Sequence, residues 1–292
     1  MKREAIKVAV VTSSRWKSAG QDVAHAIGLW LQRANIEVRM DVEGTANLAE
    51  LGKGATVCFS VGGDGTMLST ARRMHDCPIP TVGVNFGKLG FLAEFTEDEI
   101  RDWIAGRIEL DLRIIPRMML QCTMKRAIAT SGSPAVETRF GLNDAVLHQG
   151  VMTRLATVDM WVDDEHATQY RCDGLVVSSP VGSTAYSLSL GGPILTPGMR
   201  AFIVTPIAPH ALTNRPIIVE GARTLRFRLA TRVDEAALVI DGQETLPLVQ
   251  GDEFEVRAAE TDFPLVSHAR RSYYELLKNK LEWGSAPVLK DE

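Results

Sequence analysis

The run Gly62-Gly63-Asp64-Gly65 sets a single carboxylate among glycines, directly after the apolar stretch Val57-Cys58-Phe59-Ser60-Val61. An acid at the tip of such a loop could orient a metal ion or take a proton from a hydroxyl nucleophile. Glycine serves the turn twice, by allowing positive φ and by letting backbone N–H groups come close to a phosphate with no Cβ in the way. Thr66 could cap a helix, and an apolar, small and basic segment runs on to Arg73. That order reads as buried strand, tight turn and helix start. Taken alone, Asp-Gly is also an ordinary turn dipeptide. The strand before it and a second cluster favour the chemical reading.

The second cluster runs from Arg171 to Pro193 and is the densest stretch of the chain. It offers Arg171, the acid Asp173, the hydroxyls of Ser183, Thr184, Ser187 and Ser189, the ring of Tyr186, and glycines that expose backbone. These groups suit a nucleotide: carboxylate to ribose or carboxamide, hydroxyls and N–H groups to base edges, tyrosine for stacking. A Gly/Ser-rich connection between strands accounts for the same composition equally well. Upstream, Asn143-Asp144 adjoins the apolar run Ala145-Val146-Leu147, and an Asn-Asp pair is also a common turn.

The elements that must position these residues follow from periodicity. Residues 6–11 form a short β-rich run, and residues 21–34 carry Val23, Ile27, Trp30 and Leu31 at helical spacing. A strand at 36–40, a short helix at 46–51, the strand into Gly62, a helix at 66–74 and a strand at 80–84 follow. This alternation predicts a parallel sheet with helices on its faces, where ligands bind at the carboxyl ends of the strands. Both Gly62–Gly65 and Asn85-Phe86-Gly87-Lys88-Leu89-Gly90-Phe91 fall at such ends. No Gly-x-Gly-x-x-Gly occurs. Gly83-x-x-x-Gly87-Lys88 is one residue short of a Walker loop, and Leu89 stands where Ser or Thr is needed.

Thr96 and Glu99 form a capping box for a helix running to about Gly106. From Glu109 the texture becomes short alternating segments: 110–114, 118–124, 155–162, 174–178, 217–219, 225–229, 237–240 and 254–256. Turn residues such as Ser131-Gly132-Ser133-Pro134 and Asp163-Asp164 separate them. The fold expected is α/β plus all-β: an N-terminal Rossmann-like α/β domain followed by a β-sandwich domain, with a C-terminal helix returning to the first. The boundary is placed near Pro116, giving residues 1–115, with 265–292 packing back on them, and a β-rich nucleotide-binding domain over 116–264. A helix at 271–283 presents Tyr274, Leu277 and Leu281 on one face, with a loose tail after Gly284.

Composition sets limits. The 292 residues are 45% hydrophobic and 23% charged, with a formal net charge of -4. That is ordinary globular composition at a length suited to two domains, and its sign argues against a nucleic-acid partner. No apolar run nears the ~18 residues of a membrane-spanning helix, and Met1-Lys2-Arg3 with the apolar residues after it is too short for a signal peptide. Cys58, Cys77, Cys122 and Cys172 are far apart and match neither a zinc site nor a disulfide framework, which fits a reducing cytoplasm. The six histidines show no ligand spacing; His148 and His210 read as structural.

With these segments together the chain resembles the bacterial NAD kinases. The motifs are Gly62-Gly63-Asp64-Gly65, Asn143-Asp144, and Asp173-Gly174 through Gly182-Ser183-Thr184-Ala185-Tyr186-Ser187-Leu188-Ser189-Leu190-Gly191-Gly192. Gly87-Lys88-Leu89-Gly90-Phe91, Pro206-x-x-Pro209-His210 with Asn214-Arg215-Pro216, and Asp241-Gly242-Gln243 support it. Gly-Gly-Asp-Gly alone is shared with diacylglycerol-type lipid kinases and phosphofructokinases; the long block from Asp173 is specific. The resemblance implies phosphorylation of the 2′-hydroxyl of the adenosine ribose of NAD, with Asp64 as base or metal-orienting acid and Gly65 and Phe91 lining its loop. It implies that Asn143 and Asp144 hold the adenosine part. Arg154, Arg171, Asp173, Thr184, Ala185, Tyr186, Ser187, Leu188, Ser189, Ala208 and Gln243 would line the dinucleotide site, Ala208 through its backbone alone. Val181 stands where the family usually carries Ser or Thr, which removes one hydroxyl.

The resemblance further implies ATP or polyphosphate as donor, and Mg²⁺ or Mn²⁺ carried with the donor phosphates rather than by fixed protein ligands. It implies a homodimer or homotetramer, while the cysteines, net charge and apolar runs predict a cytoplasmic protein with no nucleic-acid or membrane partner. Two rival functions share part of the pattern. A diacylglycerol-type lipid kinase would want a membrane-facing patch and leaves the block from Asp173 unexplained. A non-catalytic NAD(H)-binding regulator would have no need of Asp64 between its glycines.

Overall fold

The computed structural model describes residues 2–16, 18–87, 90–127, 135–150, 155–233 and 235–284. Four expected features lie outside them: Arg154, the pair Lys88-Leu89, the turn at 131–134 and the tail beyond Gly284. The chain divides into two compact units. One comprises Met1–Met67, Ile79–Ile115 and Pro264–Glu292; the other comprises Leu68–Pro78 and Pro116–Phe263.

The first unit is built on a sheet with strand order Glu37–Asp41, Val8–Thr12, Val57–Val61, Thr81–Asn85, Phe263–His268 and Leu112–Arg117, and Phe95–Thr96 pairs off Thr81–Asn85. Val57–Val61 and Thr81–Asn85 are buried at every position, as central parallel strands covered on both faces must be. Helix Ser18–Arg33 turns Ala24, Ile27 and Leu31 inward. Helix Glu97–Ile104 buries Ile100, Trp103 and Ile104 and carries the Thr96/Glu99 capping box expected of it. The chain leaves Val8–Thr12 to one side and returns on the other as Val57–Val61, so strand order reverses between them, the place where open α/β sheets bind ligands.

Several boundaries differ from expectation. The helix after the glycine loop is Asp64–Arg73 and starts two residues earlier than predicted, so Thr66 lies inside its first turn rather than capping it. An acid in that first turn meets the positive end of the helix dipole, which favours the earlier start. The segment expected over 110–114 is the strand Leu112–Arg117, and it joins this sheet rather than the sandwich. The strand Phe263–His268, unforeseen, runs parallel to Thr81–Asn85 with Leu265 opposite Thr81. The last helix is Tyr273–Leu281 with Ser272 as its cap. It buries Leu277, but Tyr274 is 55% exposed, so the inward face is narrower than periodicity implied.

The second unit holds two six-stranded antiparallel sheets. One runs Glu165–Cys172, Ala156–Val162, Leu225–Leu229, Glu253–Ala258, Leu120–Lys125 and Val136–Gly141. The other runs Ile217–Glu220, Ala201–Ile207, Gly174–Ser178, Asp144–Gln149, Ala236–Ile240 and Glu244–Pro247. Leu120, Met124, Phe227 and Phe254 from the first meet Leu147, Val177, Phe202 and Leu238 from the second in one continuous core, which makes the unit a sandwich. Alternation is clean in Leu120–Lys125 and Leu225–Leu229. Gly174–Ser178 and nearly all of Ala201–Ile207 are buried on both faces, so the latter carried no period-two signal. The hairpin of Ala236–Ile240 and Glu244–Pro247 turns through the three residues Asp241, Gly242 and Gln243, the first two with φ of 51° and 65°, and Gln243 N–H closes the turn on Ile240 O at 2.9 Å.

Candidate functional site

In the first unit the buried strand Val57–Val61 delivers the chain to Gly62, where an added Cβ would overlap the Thr66 side chain. Asp64 opens the helix and its carboxylate collects three consecutive main-chain donors. Phe91 N–H donates to Oδ2 at 2.8 Å, and Leu92 and Ala93 N–H donate to Oδ1 at 3.0 and 3.2 Å. Gly90 lies flush against that carboxylate, and a Cβ there would fall on Oδ1. So Phe91, expected to line the loop, meets Asp64 through its backbone, and Gly65 lies next to it, exposed. The side chain of Asn85 closes the neighbouring loop by accepting from Gly87 N–H at 2.8 Å. A carboxylate has about four lone-pair sites; three are filled, and among the described residues nothing takes the fourth, on Oδ2. No cation pairs with Asp64 among the described residues.

In the second unit Asn143 and Asp144 sit where the strand Asp144–Gln149 begins. The Asn143 carbonyl accepts from Ser179 N–H at 2.8 Å and from Ser178 Oγ at 3.4 Å. Gly182 packs so closely on that carbonyl that a Cβ would overlap it. The side-chain amide of Asn143 is half-buried and takes no protein hydrogen bond among the described residues, which leaves it for a ligand. Asp144 is 5% exposed. Burial, and secondarily the charge of Asp241, push its carboxyl up to about 7.

The stretch after Gly174–Ser178 is a 3-10 turn at Val181–Thr184 and a short helix at Tyr186–Ser189. Its hydroxyls divide into two groups. Ser179, Ser183 and Ser187 are buried and spent on the fold: Ser179 Oγ donates to Leu142 O at 2.5 Å, Ser183 Oγ to Pro180 O at 2.6 Å, and Ser187 Oγ pairs with Thr205 Oγ1 at 3.0 Å. Thr184, Ala185 and Leu188 are half-buried, while Ser189 and the ring of Tyr186 are exposed. Val181 is buried, and its carbonyl accepts from Thr184 Oγ1 at 3.2 Å.

Arg171, Asp173 and Ala208 form a separate group. Asp173 N–H donates to Ile207 O at 3.0 Å and His210 N–H to Arg171 O at 2.8 Å, which binds the two segments together. Ala208 is exposed with φ of 42°, the left-handed region, so its peptide groups are turned in a way few alanines adopt. Register places this group beside Gly174 and the Asn143-Asp144 group beside Ser178. They lie at opposite ends of one strand, about 13 Å apart at ~3.3 Å per residue. In the chain between Arg171 and Asp173, Cys172 is buried and its thiol is pushed up to about 11, chiefly by burial; Cys122 is raised by the same cause, so both are inert.

Sequence reasoning missed the residue that organises the Asn143-Asp144 turn. Asp241 is buried, and its carboxylate receives Leu142 N–H at 3.1 Å (Oδ1) and 3.0 Å (Oδ2), Asn143 N–H at 2.7 Å and Asp144 N–H at 3.2 Å. Arg72 Nη1 donates to Asp241 Oδ2 at 3.0 Å and Nη2 to Gln243 Oε1 at 2.5 Å. Gln243, expected at the ligand, is thus also tied to the protein. The Asp241-Gly242-Gln243 motif carried a signal, since Asp-Gly marks a tight turn and an aspartate there readily accepts main-chain N–H groups. Arg72 carried none. Among the described residues no three His, Cys, Asp or Glu gather as a metal cluster.

Two family models match the chain: "ATP-NAD kinase N-terminal domain" over residues 10–111 and "ATP-NAD kinase C-terminal domain" over residues 142–268. Among curated relatives, an NAD kinase of Geobacter metallireducens is 37% identical over 271 residues, 90% of this chain and 94% of the relative. An NAD kinase of Trichlorobacter lovleyi is 40% identical over 231 residues, 79% of each. Among solved structures, an Archaeoglobus fulgidus NAD kinase in complex with ATP superposes with TM-score 0.69 at 26% identity, covering 94% of this chain and 98% of that one. Yeast NADH kinase complexed with NADH gives TM-score 0.83 over 98% of this chain and 90% of its own, at 23% identity, a likeness of fold. No helix among the described residues is long and apolar enough to cross a membrane.

Proposed function

The chain belongs to the NAD kinase family and has the activity of an NAD kinase, and from that premise we propose that it phosphorylates the 2′-hydroxyl of the adenosine ribose of NAD with ATP as donor. The observation that carries this reading is the Asp64 carboxylate, fixed at the carboxyl end of a buried strand by three main-chain donors, with one acceptor position left open by the described residues. A secondary hydroxyl is a weak nucleophile until its proton is taken. In the proposed step O2′ bonds to the terminal phosphorus, the bond from that phosphorus to the bridging oxygen of the donor breaks, ADP leaves, and Oδ2 of Asp64 accepts the proton. Three amides already point at this carboxylate, so its orientation is set before substrate arrives, which is where positioned acid–base catalysis gains its rate.

A divalent ion, Mg²⁺ or Mn²⁺, would travel with the donor phosphates and neutralise charge on the transferring group. Asp64 is the one carboxylate of the glycine loop, which suits an ion held by phosphate rather than by a protein cage. For the acceptor, the free amide of Asn143 and the carboxyl of Asp144 are assigned to the adenosine, with Tyr186 offering a stacking face and Thr184 and Ser189 their hydroxyls. Ala185, Ser187 and Leu188 would act through backbone or shape, because the Ser187 hydroxyl already pairs with Thr205. Arg154, Arg171, Asp173 and Ala208 are assigned to the remainder of the dinucleotide, and Gln243 to the edge of the adenosine site. In this division residues 1–115, with 265–292, carry Gly62–Gly65, and residues 116–264 hold NAD.

A homodimer or homotetramer follows as a further proposal. The groups around Asn143 and Arg171 stand at opposite ends of a strand, and a second copy would let each serve a different dinucleotide. Cys58, Cys122 and Cys172, buried and in no disulfide, support a cytoplasmic setting. The test is NADP formation from NAD, ATP and Mg²⁺ by purified protein beside Asp64→Asn, with polyphosphate as second donor. Turnover by the wild type with ATP, and a fall of ~10²–10⁴-fold in the variant, is the expected result. Near-normal turnover of Asp64→Asn would remove the base assignment, and turnover with polyphosphate alone would remove ATP.

A further inference from the structure

Arg72 is the last but one residue of the helix that Asp64 opens, and its side chain is 8% exposed. Asp241, its partner, has a side chain with no exposure at all. A buried ion pair is poor value as a stability device, since well-packed apolar residues of the same volume usually do as well or better. These charges therefore need another account, and the hydrogen bonds provide it. The Asp241 carboxylate takes the N–H groups of Leu142, Asn143 and Asp144, three consecutive donors that an apolar side chain would leave unpaired. Arg72 sets its guanidinium against this carboxylate at 3.0 Å, and its second nitrogen holds Gln243 at 2.5 Å. The backbone of Asn143 is then fully committed, N–H to Asp241 and carbonyl to Ser179, while its side-chain amide takes no partner among the described residues.

We propose that Arg72 and Asp241 form a buried strut that holds the Asn143-Asp144 turn in the conformation that binds NAD, making both positioning residues for the reaction. This rests on the assignment of Asn143 and Asp144 to the acceptor. It explains why a turn that must aim one side-chain amide is locked through its main chain, leaving the amide free. It also fixes which substrate feels the strut: the acceptor, and not the donor. A slack turn presents the Asn143 amide in its binding geometry less of the time, so it weakens NAD binding and shows as a raised KM for NAD.

The experiment compares Arg72→Ala, Arg72→Lys and Asp241→Asn with wild type in steady-state NADP formation, varying NAD and ATP separately, and repeats Arg72→Ala with millimolar guanidinium ion. The expected result is a KM for NAD raised at least tenfold in Arg72→Ala, a KM for ATP within twofold of wild type, a smaller rise in Arg72→Lys, and partial recovery of the NAD KM on adding guanidinium. Should Arg72→Ala fail to fold, Arg72→Lys and Asp241→Asn carry the same reading of the two KM values. A lowered melting temperature with both KM values unchanged would reduce the pair to a structural role and overturn the proposal, as would equal rises for NAD and ATP. Failure of wild type to form NADP would instead overturn the functional reading beneath it, so the two failures are distinguishable.

Discussion

The two units of this protein each contain a carboxylate that gathers three consecutive backbone amides. In the α/β unit Asp64 takes Phe91, Leu92 and Ala93; in the β unit Asp241 takes Leu142, Asn143 and Asp144. Each has a glycine against it, Gly90 beside Asp64 and Gly141 beside Asp241. The devices differ in what fills the rest of the carboxylate. Asp241 is sealed from solvent and paired with Arg72, so nothing remains for a ligand. Asp64 is half-buried, has no cation beside it among the described residues, and keeps an acceptor position open. The same local geometry thus yields a structural clamp where the charge is neutralised inside the protein and a reactive group where it is not.

The contrast breaks if the two acids respond alike to removal. Asp64→Asn keeps two of its three amide bonds through Oδ1 and loses about 1 kcal/mol of folding stability while turnover falls ~10²–10⁴-fold. Asp241→Ala takes the nearer anion from a buried guanidinium, leaving it Glu244 at 3.4 Å, strands three donors, and is expected to lower stability by about 3–5 kcal/mol. Urea denaturation of both, read beside NADP formation, is the check. A comparable stability loss in the two variants would end the distinction.

How much of this was legible in the sequence follows from distance along the chain. The Gly62–Gly65 loop could be read because strand, turn and helix are contiguous, and Thr96 with Glu99 because a capping box spans four residues. The pair Arg72–Asp241 is 169 residues apart, and no local pattern marks an arginine late in a helix as the partner of a distant turn. Periodicity identified a strand near residues 110–114 but could not say which sheet it joins, since alternation records one covered face and not the neighbour that covers it. The strand Phe263–His268 has proline at its second position and ends in Ser267-His268, so neither alternation nor an unbroken apolar run marks it. Composition likewise could not divide the serines of 178–189 into those spent on the fold and those still open.

A finer test of the clamp around Asp241 uses pH. Asp144 beside it has its carboxyl raised from 3.8 to about 7, first by burial and then by the charge of Asp241. The folded state therefore holds a proton that the unfolded chain gives up near pH 4. The resulting stability is complete below pH 4 and is lost as pH rises through 7; at 1.36 kcal/mol per unit it amounts to at most about 4 kcal/mol. Asp144→Asn lacks this term. The difference in melting temperature between variant and wild type should move in favour of the variant from pH 4 to pH 8.5, and parallel curves would show that Asp144 titrates as an ordinary carboxyl.

The smallest effect separates the clamps through their glycines. A Cβ at Gly90 would fall on the Asp64 carboxylate, so Gly90→Ala must push aside either that group or the segment donating to it. A Cβ at Gly141 would meet Ile240 Cγ2 at 2.8 Å and Asp241 Oδ1 at 3.1 Å, the first of these the end of an apolar side chain. Both substitutions overpack a tight contact, and each is expected to lower stability by about 1–3 kcal/mol. Their catalytic consequences should diverge. Moving the open carboxylate by a fraction of an ångström changes the line of proton transfer, so Gly90→Ala loses turnover at saturating NAD, by ~10–100-fold on the positional sensitivity of such steps. Gly141→Ala acts on a carboxylate that touches no reacting atom, so its turnover at saturating NAD should stay within about twofold of wild type, a change of no more than ~0.4 kcal/mol in barrier. Its residual effect belongs in the KM for NAD. Equal kcat losses in the two variants would mean that the Asp241 clamp also reaches the chemical step, and that the division between an open and a sealed carboxylate is drawn in the wrong place.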